Sequence, residues 1–214
     1  MITPCQLVRD LGVYVDSTMR MLDHVNNVCK AAYLQVRIIG HLRPYLSTTA
    51  TKTLVRNLII NRIDYCNSLL FGAPKFILNK LQRLQNMAAR LVTRVKRSSH
   101  ITPSLFKLHW LPIEYRIQFR ILVHTYRSIH ESAPGYLCTL IKLRSSDSVR
   151  HLRTCDDLSL VVNRTRLKTF GDRAFSNCAP TLWNNLPVSI RLQDSESSFR
   201  KSLKTLMFNE AFNL

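Results

Sequence analysis

Residues 77–97 read ILNKLQRLQNMAARLVTRVKR. Ile77, Leu81, Leu84, Ala88, Leu91 and Val95 recur at intervals of three and four, which gathers them on one side of a helix. Pro74 marks where that helix starts. Lys80, Arg83, Arg90, Arg94 and Arg97 fall within about 100° of one another on a neighbouring face, with no acid among them. A solvated face is the plain reading of a charge run. Solvated faces normally mix signs, however, so a stripe of one sign favours contact with phosphates.

The flanking chain extends the helical reading. Upstream, Leu11, Val13 and Val15 alternate as in a short strand closed by a turn. Ser17 or Thr18 then offers a cap to a helix with the apolar seam Leu22, Val25, Cys29, Ala32, Val36 and Ile39, ended by Gly40 and Pro44. Ser47 to Thr49 cap a second helix through Ile63, which Gly72 and Pro74 break. Downstream, His100 opens a short capped helix, and a longer one runs from about Ile113 to His130. Its stripe of Tyr115, Phe119, Leu122, Tyr126 and Ile129 reads as core rather than as a platform for bases, because the spacing is strictly helical. Arg116, Arg120, His124 and Arg127 form a second basic stripe. The polar run KLRSSDSVRHLRTCDD at 142–157 is the best linker candidate. Beyond it, Leu158, Leu160 and Val162 alternate like a strand, Asp172 caps one helix, and Ser195 to Ser198 cap a last one with Phe199, Leu203, Leu206 and Met207 inside. The fold expected is mainly α: a helical bundle followed by a smaller α+β carboxy-terminal segment. Its divisions are a strand remnant at 1–16, a bundle at 17–97, a helical continuation at 98–142, a linker at 143–157 and a terminal segment at 158–214.

Composition narrows the function. The 214 residues carry 31 Lys+Arg against 13 Asp+Glu, a net charge of +18, and an ordinary apolar share of 46%, enough for a sizeable core. The charge is regional: His24 to Ile113 holds 14 bases and one acid, Asp64, for +13, leaving +5 for the remainder. Such a field implies a polyanionic partner, with nucleic acid ahead of an anionic membrane surface. Only five glycines occur, never clustered, which excludes a P-loop or a dinucleotide fingerprint. No apolar run approaches the roughly 18 residues of a membrane span, and Arg9 and Asp10 interrupt any leader peptide, so an intracellular protein of nucleus or cytoplasm, not a secreted one, is expected. The six scattered cysteines then read as reduced thiols, and the Asn163-Arg164-Thr165 sequon carries no meaning.

Catalytic chemistry finds little to stand on. A metal-dependent nuclease or polymerase needs two or three converging carboxylates, and the sole adjacent pair is Asp156-Asp157. Its setting is a polar linker rather than a hairpin, and Thr154 stands where an aromatic would be wanted. Cys138, His151, Cys155 and Cys178 match no standard zinc spacing. No serine or cysteine stands out with a histidine as a nucleophile pair.

Eight strings in order carry a family resemblance: RDLGVYVD at 9–16, RIDYCN at 62–67, LQRLQNMAAR at 81–90, HITP at 100–103, LHWLP at 108–112, RLKTFGDRAF at 166–175, APTLWNNLP at 179–187 and FRKSLKT at 199–205. Together they resemble the carboxy-terminal part of non-LTR (LINE, jockey-like) retrotransposon reverse transcriptases over essentially the whole chain. The resemblance implies that Leu11, Gly12 and Val13 correspond to the primer-grip strand and that the following helices are thumb-like, lying beside a template-primer duplex of RNA or DNA. It also implies that endonuclease, fingers and the palm with its magnesium-binding aspartates lie upstream of Met1. The chain then acts as a fragment: it holds nucleic acid without sequence preference, through Lys80, Arg83, Arg90, Arg94 and Arg97 together with Arg116, Arg120 and Arg127, contains no cofactor of its own, and does not polymerise alone. An inactive relic whose helices lack the palm they once packed against, and a stand-alone basic helical binder, are the competing readings.

Overall fold

The computed structural model describes residues 6–144, 158–167 and 169–213. The protein is mainly helical, with a two-stranded antiparallel sheet near its N-terminus. It divides into two compact units, Met1–Arg116 and Ile117–Leu214.

In the first unit, β1 (Leu7–Asp10) pairs with β2 (Val13–Asp16), Leu7 opposite Asp16 and Asp10 opposite Val13. Leu11 and Gly12 connect them with both φ angles positive, 44° and 85°, as a type I′ turn requires. The element is therefore a hairpin, and Leu11, expected in the strand, forms its tip with 84% of its surface exposed. The Asp16 carboxylate then gathers the next turn, accepting from the backbone N–H groups of Thr18 (2.9 Å), Arg20 (3.1 Å) and Met21 (2.7 Å). As a result α1 (Leu22–Leu42) begins later than Ser17 or Thr18 would allow, and it runs through Gly40 into a 3₁₀ turn at Arg43–Tyr45.

Ser47 caps α2 (Thr48–Val55) as its sequence predicts, the Ala50 N–H donating to its Oγ at 3.1 Å. A π-helical stretch, Arg56–Ile60, and α3 (Asn61–Asp64) continue the same rod until Cys66 turns left-handed at φ 51°. The central element is α4 (Lys75–Thr93), which packs against α1, α2 and α5 (Thr102–Leu108). It buries Ile77, Leu81, Leu84, Ala88, Ala89 and Val92. Each of the large aliphatics contributes roughly 1.5–3 kcal/mol. Arg94, left-handed at φ 56°, ends the helix, so Val95 and Arg97 lie beyond it rather than on it.

That end is closed by a residue the periodicity does not reveal. Arg43 is 7% exposed and donates from Nε to the Leu91 carbonyl (2.9 Å), from Nη2 to that of Val92 (3.1 Å) and from Nη1 to that of Leu46 (2.8 Å). The guanidinium thus satisfies carbonyls that the last helical turn cannot, at the negative end of the helix dipole.

Several of the strings quoted above meet as structural joints. Gln85, fully buried, donates to the Leu111 carbonyl at 2.8 Å, and Gln82 accepts from the Ile113 N–H at 2.9 Å. The two glutamines of LQRLQN thereby fix the LHWLP turn that leads into α6 (Ile113–Ile129). Asp64 of RIDYCN pairs with Arg116, and the neighbouring Tyr65 hydroxyl donates to the Leu11 carbonyl at 2.6 Å, tying that string to the hairpin.

The second unit contains the α6 residues from Ile117 onward, α7 (Gly135–Cys138), α8 (Phe175–Asn184), α9 (Val188–Arg191) and α10 (Glu196–Phe212). Its centre is aromatic. Tyr126 stacks on Phe199 with centroids 4.4 Å apart, and Trp183 lies 5.6 Å from Phe199. Tyr126 and Leu122 of the aromatic stripe are core, as their spacing predicts, while Tyr115 and Phe119 are half-buried and Ile117 and Ile121 go deeper. Among the described residues, the stretch from Leu158 to Val162 makes a single bridge, Leu143 to Leu160, and not a strand of a sheet. Its backbone is served instead by side chains of APTLWNNLP: the Asn184 amide exchanges two bonds of 2.9 Å with Leu160, and Trp183 Nε1 donates to the Leu158 carbonyl at 2.8 Å. Ser195 caps α10 as expected. Asp172 does not cap α8; its carboxylate accepts from the Thr165 hydroxyl and, at 3.3 Å, from Asn177. His151, Cys155, Asp156 and Asp157 lie outside the described residues.

Candidate nucleic-acid interface

The feature that gathers the basic stripe is an open groove of about 630 Å³ beside α1 and α4. Its floor is apolar: Tyr33 and Val36 from α1, Met87 and Leu91 from α4, and Val95 just past the end of α4. Arg83, Arg90 and Arg97 edge it, and none of its lining residues is acidic. Val36, Leu91 and Val95 belong to seams whose spacing reads as core, yet they are half-buried, because the two seams continue past the packed contact.

The eight cations expected to touch nucleic acid divide according to what already holds them. Arg83 and Arg97 are exposed and make no hydrogen bond or ion pair among the described residues. Arg90 lines the groove while one guanidinium nitrogen donates to the Ser99 carbonyl at 3.1 Å, which ties down the loop after α4. Lys80 donates to Asn26 Oδ1 at 2.6 Å. Arg94 turns away to the Arg43 carbonyl at 3.2 Å, a direct result of the left-handed helix end. Arg116 is engaged by Asp64, and Arg127 donates to Glu196 Oε1 at 2.7 and 3.0 Å. Arg120 is exposed and makes no such bond among the described residues. Three of the five stripe residues therefore reach one groove, with Arg97 arriving from a loop rather than from the helix.

At the hairpin, Val13 is buried, Gly12 occupies the turn, and Leu11 stands out at the tip. A second recess of about 300 Å³ behind it is lined by Arg9, Tyr14, His24, Arg62 and Tyr65 among others. Burial lowers the His24 pKa, so its ring is neutral near pH 7. Burial likewise lowers the pKa of His124, with Arg120 and Arg127 adding to the effect. Glu196 shifts downward because it accepts hydrogen bonds from Arg127.

Among the described residues, no three His, Cys, Asp or Glu side chains converge as a metal-binding group. No described helix is long and apolar enough to cross a membrane. Comparisons of the chain with protein-family models, with curated proteins and with solved structures find no match.

The residues missed by sequence reasoning are the floor's Tyr33 and Met87 and the structural Arg43. Tyr33 carried a usable signal. It stands one residue beyond the α1 seam position Ala32, as an aromatic on a face otherwise occupied by Lys30 and Arg37.

Proposed function

We propose that the first unit is a sequence-independent nucleic-acid-binding module of the helical, basic class. The observation that carries this reading is the groove edged by Arg83, Arg90 and Arg97, with no acidic residue in its lining and with Arg83 and Arg97 making no hydrogen bond or ion pair among the described residues. Guanidinium groups on a rim match phosphate oxygens in charge and in donor geometry. Base-specific recognition would need polar groups placed to read base edges, and beside its arginines the groove supplies the Asn86 amide and the Tyr33 hydroxyl.

More particularly, we read the chain as a thumb and carboxy-terminal region similar to those of LINE-type reverse transcriptases, with the template-primer as its natural ligand. The eight ordered strings support this, and so do the joints that several of them form with one another, since a thumb must hold its helices rigidly to hold a duplex. Magnesium-dependent polymerisation belongs, in that family, to a palm; nothing in the binding role of the groove depends on a metal.

The test compares Arg83→Glu/Arg97→Glu with the parent chain in binding to a mixed-sequence RNA–DNA duplex. Loss of affinity by about tenfold or more, equal across unrelated sequences, is expected. Unchanged affinity would overturn the reading, and failure of the parent chain to bind any nucleic acid would favour the inactive relic.

A further inference from the structure

We infer that the groove beside α1 and α4 takes an unpaired nucleotide, its base lying on Tyr33 and Met87 and its flanking phosphates on Arg83 and Arg97, so that the module prefers single strands to fully paired duplex. This deepens the proposed function and rests on it.

A site that touched only duplex backbone would need cations and polar groups, and an apolar floor would contribute nothing, because paired bases keep their faces stacked inside the helix. The groove has such a floor. Tyr33 is 37% and Met87 43% exposed, and Val36 and Leu91 are half-buried beside them. Water is poorly accommodated on these surfaces, whereas the π-face of any base is accommodated well, without regard to sequence. Methionine adds an adaptable thioether that tolerates purines and pyrimidines alike. Arginines at the edge place positive charge where the backbone of a nucleotide seated on the floor would pass.

The dimensions separate a nucleotide from the other anionic occupant, an acidic amphipathic helix. The floor spans Tyr33 to Val36 on the α1 side, about 5 Å at a helix's rise, and Met87 through Leu91 to Val95 on the other, so that only one wall runs for two turns and the α1 wall falls short. A helix docking into a groove needs anchors over two turns, about 10 Å. A volume of about 630 Å³ suits a small planar ligand instead. The Tyr33 hydroxyl makes no hydrogen bond among the described residues and is available to a sugar or phosphate oxygen.

The experiment uses the full chain and fluorescence anisotropy at one fixed salt concentration, with two labelled probes: an oligothymidylate of about 12 nucleotides and a blunt duplex of equal length. The parent chain should bind the single strand more tightly than the duplex. Tyr33→Ala should weaken single-strand binding about tenfold, within the range that loss of one stacked base gives, and change duplex binding less than about twofold. Tyr33→Phe should retain single-strand binding, and Tyr45→Ala, at an 87% exposed tyrosine outside the groove lining, should leave both probes unaffected. Tyr33→Ser is run in parallel, so that a folding defect confined to one variant does not decide the result. Equal losses on both probes, or none, would overturn the inference. An acidic helical peptide that binds the groove and is lost in Tyr33→Ala, while the oligothymidylate does not bind, would overturn it also. If Arg83→Glu/Arg97→Glu weakens both probes while the Tyr33 variants do nothing, only this inference fails; if that double variant changes neither probe, the proposed function itself fails.

Discussion

Replacing Arg43 by methionine keeps a long unbranched stem in the same channel and removes the guanidinium. The carbonyls of Leu46, Leu91 and Val92 then lose donors now at 2.8, 2.9 and 3.1 Å. At about 1 kcal/mol for each of these acceptors, one buried and two part-buried, left unsatisfied, the loss is about 3 kcal/mol. Relief from desolvating a buried cation offsets part of it, leaving a net of about 2–3 kcal/mol. For a chain of this length that corresponds to a fall in Tm of about 4–12 °C, read from the helical circular dichroism signal. Arg43→Lys, whose ammonium cannot present the same fork, should fall between parent and methionine. Arg94→Met, which loses one bond of 3.2 Å from an exposed side chain, should cost less than about 1 kcal/mol. A Tm for Arg43→Met within about 2 °C of the parent, or equal to that of Arg94→Met, would refute the claim that this guanidinium seals α4.

Leu11 occupies a left-handed position better suited to asparagine, so Leu11→Asn should raise stability by about 0.5–1 kcal/mol, checked by urea denaturation. His24 and His124 both have pKa values held below the ordinary 6.5, mainly by burial, so the unfolded chain takes up protons before the folded one. Stability should therefore be full above pH 6.5 and decline as pH falls below it, by at most about 1.4 kcal/mol per pH unit for each ring, and substituting either histidine by asparagine should flatten that decline. Glu196, held below its ordinary 4.5 by Arg127, adds stability that is present above that pH and lost as pH falls through its lowered value, a step that Glu196→Gln should remove. Burial pushes the Cys178 thiol up to about 11, so iodoacetamide at neutral pH should label it only after unfolding, whereas the half-buried Cys66 and Cys138 label in the native state, as peptide mass analysis would read.

The helices were legible because their apolar residues are spaced for packing. Residues 77–93 form the central helix where the three- and four-residue intervals put it, and Ser47 and Ser195 cap where hydroxyls precede apolar runs. Ends were less legible, because they depend on distant partners: Arg43 and the left-handed Arg94 stop α4, while the periodicity of Val95 and Arg97 continues past them. The same limit applies to the candidate site. A stripe of one sign identified cations, but their availability depends on Asn26, Arg43, Asp64 and Glu196, which lie 51 to 69 positions away in the chain. Apolar spacing also could not distinguish a seam that is covered from one that forms the floor of a groove, as Val36 and Leu91 do.

The central claim, that the arginine-edged groove binds nucleic-acid backbone, is tested most directly by the salt dependence of duplex binding. If Arg83, Arg90 and Arg97 each neutralise one phosphate, log K should fall against log salt with a slope of about −3 between about 50 and 200 mM, and Arg83→Glu/Arg97→Glu should lose about two units of that slope. A flat response of the parent chain, or a slope unchanged by the double substitution, would contradict the account.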